Sequence, residues 1–131
     1  MIYKNPGWHK WLVSAFYAMC VFVQAMVIVK IIPYTWVNGG MSASYQAQAA
    51  QSVISIVIIG LLWLFCQNMM NPKTAVKKWQ MYVLYAFTVF WTIGLVMQLL
   101  GTSFERYVMA PLLLFGIVLH LFLIKTFRGR Q

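Results

Sequence analysis

Acidic side chains are all but missing from this chain. Glu105 is the only one in 131 residues, set against ten Lys and Arg, and charged residues of both signs make up 8% of the sequence. Soluble domains carry roughly 25%, so a water-facing surface of ordinary size cannot be built. One carboxylate also rules out chemistry that needs two. Glycosidase and aspartic-protease mechanisms require a pair, and an acidic cage for a hard cation requires several. Ser14, Ser52 and Ser55 have no acid to orient a base and fail as nucleophiles. The chain therefore reads as non-catalytic.

Cysteine and histidine are scarce too, with two of each. Cys20 falls near the middle of an apolar run and Cys66 near the end of another, so they are expected to be separate buried thiols rather than a disulfide. Quinone-linked disulfide-forming membrane enzymes need a Cys-x-x-Cys pair, which is not here. A bis-histidine haem would need His9 and His120 to face one cavity, and a metal on His120 and Cys66 would lack further ligands. No cofactor is expected.

What the sequence does have is apolar length. Hydrophobic residues make up 63%, concentrated in segments 11–32, 52–70, 79–100 and 107–124, each close to the roughly 20 residues that cross a bilayer. The prediction is an all-α integral membrane protein, a four-transmembrane-helix bundle forming a single membrane domain over 1–131. Helices are placed at about 11–32, 44–70 (membrane part 52–70), 79–100 and 104–125. The first run exceeds a signal-peptide core and no cleavage pattern follows it, so it is expected to stay in the mature protein.

Turn chemistry marks the ends. Ser42 or Ser44 is expected to cap helix two, which Asn71-Pro72 then terminates. Ser103 is expected to cap helix four, with Glu105, in the short connection beside Arg106, favourably placed in its first turn, and Pro111 to kink the span. That placement of Glu105 leaves no acid within a span to carry a proton, which sets proton-coupled carriers aside. Small multidrug-resistance transporters are similar in length and helix count, but their first helix holds a glutamate that this one lacks.

Basic residues report orientation, because Lys and Arg near helix ends stay on the cytoplasmic side. Lys4, Lys10, Lys73, Lys77, Lys78, Lys125, Arg128 and Arg130 share one face; Lys30 and Arg106 lie on the other. Both termini are expected inside, in a bacterial cytoplasmic membrane or its equivalent. Lys73, Lys77, Lys78, Lys125, Arg128 and Arg130 would contact anionic lipid headgroups, so the positive charge implies a membrane partner and not nucleic acid. Trp8, Trp11 and Trp79 suit the inner interface, and Tyr34, Trp36 and Tyr107 the outer one. Lys30, at the outer end of helix one, is expected to snorkel.

Residues 9–22 (HKWLVSAFYAMCVF) and 77–90 (KKWQMYVLYAFTVF) align without gaps at an offset of 68, with Trp11/Trp79, Tyr17/Tyr85 and Phe22/Phe90 among the identities. Two parallel two-helix repeats would follow, related by an axis along the membrane normal. The repeat points to a packing stripe through Ser14, Tyr17, Val21, Gln24 and Ile28, matched by Tyr82, Tyr85, Val89, Thr92 and Val96. Polar side chains in a span need partners. Gln24, Ser55 and Thr92 are therefore candidates for an intramembrane polar layer, and Cys66, Gln67, Asn68 and His120 for a polar cluster nearer the inner leaflet.

Short loops and spans poor in ionisable groups favour a protein that acts through helix contacts: an accessory or stabilising subunit of a larger membrane complex, or a regulatory or immunity protein. Its partners would be other membrane subunits or its own copies. The alternative is a homo-oligomeric channel or small carrier for a neutral or anionic solute, or a pore that resembles phage holins in size and basic tail.

Overall fold

A computed structural model describes the backbone of residues 7–70 and 76–128, with side chains from Lys10 onward. Lys4, Lys73, Arg130, the Asn5-Pro6 and Asn71-Pro72 turns, and the side chains of Trp8 and His9 lie outside the described residues. The described chain is helical and has no strands. Helices α1 (Gly7–Ile28), α2 (Tyr45–Met69), α3 (Lys78–Leu99) and α4 (Ala110–Arg128) run in order, and α4 is extended upstream by a π-helical turn, Glu105–Met109. Four spans are long and apolar enough to cross a membrane.

The bundle is two helical hairpins, α1 on α2 and α3 on α4, joined chiefly where α1 meets α4. Phe16 makes the joint. Its ring is wholly buried and lies against Gly116 of α4, where a Cβ on any other residue would collide with it. Around Phe16 pack Tyr17, Trp91, Phe115 and His120, with ring centroids 5.1–6.5 Å away, mostly edge to face. By contrast, α2 and α3 have little close backbone packing among the described residues. They meet through Phe65, whose ring is 5.3 Å from Phe87 and 6.0 Å from Trp79.

Several sequence expectations need correction. Helix α1 stops at Ile28, not at residue 32, because Pro33 holds Ile32 out of the helical region. Lys30 takes a left-handed conformation (φ 67°), and the amides of Lys30 and Ile31 bond back to Val27 O (3.1 Å) and Met26 O (2.9 Å). This is a Schellman cap with Lys where glycine is usual. Lys30 therefore does not snorkel from the helix: it lies beyond its end, 4.5 Å above the Tyr45 ring.

The cap of the fourth span is Thr102 rather than Ser103. Thr102 Oγ1 accepts the Glu105 amide (3.3 Å) while Glu105 Oε1 accepts the Thr102 amide (3.2 Å), a reciprocal capping box. Glu105 keeps the first-turn place expected of it but belongs to the span and not to the connection before it. It lies in the first turn of the span and is 3% exposed. Arg106 turns away and donates to Leu99 O. The irregularity expected at Pro111 is a π-turn just before it, where the Ala110 amide reaches back to Glu105 O.

The packing stripe is displaced by one residue. The buried face of α1 is Val13, Phe16, Tyr17, Cys20, Val23 and Val27, and that of α3 includes Met81, Leu84, Thr88 and Trp91. Tyr82, Val89, Thr92 and Val96 point outward instead. Helices apolar on every side carry no polar face to show which stripe is inside, so the ring of Phe16 and the notch at Gly116 decide it.

Candidate functional site

Two polar constellations sit within the bundle. The first is nearer the end that carries Lys77, Lys78 and Arg128. His120 Nδ1 lies 2.6 Å from Gly116 O, the carbonyl one turn earlier on α4, and can only donate to it. With that proton assigned, neutral His120 presents Nε2 as an acceptor, which Tyr17 O–H fills at 2.7 Å. The phenol oxygen in turn lies 3.6 Å from Cys66 Sγ. Tyr17 thus bridges α1 to both α2 and α4.

Of the predicted cluster, the structure brings Cys66 and His120 together through Tyr17. Gln67 goes elsewhere, donating to Ser14 Oγ at 2.8 Å, and Asn68 is exposed. Every acceptor and donor in the triad is matched within protein, and no group of three metal-ligating side chains occurs among the described residues. The arrangement ties three helices at one level.

The second constellation lies toward the end formed by the 29–44 loop. A cavity of about 190 Å³ is walled by all four spans: Cys20 and Gln24, Ser55 and Ile59, Trp91 and Gln98, Met109 and Leu113 are among its lining. Ile58 and Phe90 on its rim are exposed, on the two helices whose backbones stay apart, so the cavity has a lateral mouth between α2 and α3. A more polar cavity of about 170 Å³ adjoins it and shares Gln24, Ser55, Gln98 and Met109, adding Asn38, Gln48, Gln51 and Glu105. No Lys or Arg lines either one among the described residues.

The loop end of this recess is internally satisfied. Asn38 Nδ2 donates to Ser42 Oγ (3.2 Å) and Gln51 Oε1 (3.1 Å), Ser42 donates to Gln48 Oε1 (2.5 Å), and Gln48 donates to Ser52 (3.1 Å). Residues 38–40 all have positive φ, a run that glycine permits at Gly39 and Gly40. It aims the Gly39 amide at Glu105 Oε1, 2.7 Å away. The recess floor differs. Gln24 Oε1 and Gln98 Oε1 are buried with no hydrogen-bond partner among the described residues, a state that costs on the order of 1–3 kcal/mol per group.

Of the predicted layer, Gln24 and Ser55 therefore share one recess, and Thr92 is not part of it. The Thr92 hydroxyl donates to Thr88 O on its own helix, and the residue is exposed. Gln98 takes the place assigned to Thr92, and Glu105 closes the site. Lys125 and Arg128, with Tyr85, line a separate groove between α3 and α4, and Arg128 Nε donates to Tyr85 Oη at 2.8 Å. Lys77 and Lys78 are exposed at the same end.

Comparison with protein-family models, curated proteins and solved structures finds no match. The residues alone carry the functional reading.

Sequence reasoning placed Tyr17 in a packing stripe and Glu105 in the first turn of helix four without assigning either to a site, and it missed Gln98. Thr102-Ser103-Phe104-Glu105 is the capping-box pattern that precedes an apolar run, a signal that puts the cap at Thr102 and Glu105 within the span. The exclusion of proton-coupled carriage lost its premise with that placement.

Proposed function

We propose that this is a non-catalytic membrane protein that works through helix contacts, as an accessory, stabilising or regulatory subunit. The observation that carries this reading is the poor burial of α3. Only 11% of its most apolar stretch is covered by the other helices, against 56% for the fourth span. Phe90, Ile93, Val96, Met97 and Leu100 form a broad exposed face, and adaptable Met and aromatic surface suits a neighbouring helix.

The excess of basic residues at one end supports a cytoplasmic location for both termini. Exposed Trp11 and Trp79 at one end and Trp36 and Tyr107 at the other suit the two interfaces. The Lys125–Arg128–Tyr85 groove suits an anionic headgroup. A duplication of a two-helix unit is supported by burial at the offset of 68: Val13/Met81, Phe16/Leu84, Cys20/Thr88 and Val23/Trp91 are buried in both copies.

A second reading, a small carrier, is favoured by the polar recess with its lateral mouth. Mass spectrometry of the assembly extracted in gentle detergent separates the two. A fixed-stoichiometry complex with other subunits supports the first reading; a homo-oligomer or monomer that moves solute across vesicles, with loss of flux in Gln24→Leu, supports the second.

A further inference from the structure

We propose that the recess between the four spans binds a small organic ammonium ion, with its apolar body between α2 and α3 and its N–H donors on Gln24, Gln98 and Glu105. This holds whether or not the bundle assembles with partners, because every wall of the recess comes from one chain.

Three observations meet there. The buried oxygens of Gln24 and Gln98 accept no hydrogen bond from the described residues and can take donors, while the equally unpartnered indole N–H of Trp91 belongs to the apolar wall. The two oxygens belong to residues shared by the apolar and the polar cavity, which puts a donor at their junction. The apolar cavity, at about 190 Å³, is larger than the about 150 Å³ cavity that admits benzene, so a ring or short chain has room beside the donor.

Charge selects among donors. Glu105 is the one acidic residue of the chain, is 3% exposed, and forms no ion pair among the described residues. Its hydrogen bonds fall on Oε1, from the amides of Gly39 and Thr102 and the Thr102 hydroxyl, while Oε2 accepts none from the described residues. Gln can also close a capping box, so the helix N-terminus favours the charge at Glu105 without using its second oxygen. With no Lys or Arg in the lining among the described residues, an anion would meet the Glu105 carboxylate with no cation to offset it. A cation with N–H donors meets complementary groups instead.

The experiment uses the whole protein in lipid nanodiscs, with empty nanodiscs as blank, and equilibrium dialysis of three probes of similar shape: phenethylamine, 2-phenylethanol and 3-phenylpropionate. Saturable binding of phenethylamine is expected, with 2-phenylethanol about tenfold weaker and no saturable binding of 3-phenylpropionate. Glu105→Gln keeps an acceptor for the cap and should bring the amine down to the alcohol's affinity. Should that variant fail to fold, Gln98→Met, which removes one acceptor at similar volume, should weaken the amine several-fold. Equal affinity for amine and alcohol, undiminished amine binding in a folded variant, or no saturable binding of the amine overturns the proposal. None of these outcomes bears on whether partner subunits are present, which the mass of the assembly reads separately.

Discussion

The tip of the Phe16 ring on α1 lies against Gly116 of α4, with no room for a side chain between them. That contact joins the two hairpins of the bundle, and its two members are 100 residues apart in a chain with little other close packing between the hairpins. Gly116→Ala should cost about 1–3 kcal/mol by overpacking, and Phe16→Ala about 3–5 kcal/mol by opening a cavity. Reversible unfolding in mixed micelles reads both. A neutral Gly116→Ala would show that the hairpins are not joined there.

Tyr17→Phe keeps the ring and removes only the hydroxyl that links Cys66 and His120. A loss of about 1 kcal/mol is expected, within the range of interhelical hydrogen bonds in membranes. Cys66 alkylation by N-ethylmaleimide should also speed up as the level that ties α1, α2 and α4 loosens. Unchanged stability and unchanged alkylation would reduce the triad to incidental contact.

Lys30 occupies a left-handed position that glycine adopts freely. Lys30→Gly and Lys30→Ala both delete the ammonium above Tyr45, so their difference isolates the backbone. Gly should be the more stable by about 1 kcal/mol, the reverse of the order inside a helix. Ala matching or exceeding Gly would contradict the Schellman cap.

Thr102 and Ser103 compete as the cap of the fourth span, and alanine at each distinguishes them. Thr102→Ala should lose about 1–2 kcal/mol, since the hydroxyl both accepts the Glu105 amide and donates to Trp36 O across the loop end. Ser103→Ala should change stability by less than about 0.5 kcal/mol. The same unfolding assay ranks them.

The candidate site was half legible. Gln24 and Ser55 stand out as polar residues in apolar runs, and depth along a helix is read directly from residue count. Gln98 was passed over because it lies near a helix end, where polar residues need no explanation. Thr92 was included because the 68-residue offset pairs it with Gln24, but its hydroxyl can bond to its own helix, which frees it to point outward.

Composition and apolar length by themselves determined that the chain forms four long apolar helices, since a backbone out of water must satisfy its own hydrogen bonds and a helix does so within one segment. They determined the helix ends nearly as well, because Pro33, Ser44 and the capping-box residues act locally. Which faces meet was decided only by the tertiary structure. In helices apolar all round, solvation does not separate one face from another, and the choice falls to the fit of particular shapes: a ring against a glycine, a phenol between a thiol and an imidazole, and a carboxylate folded under a left-handed turn.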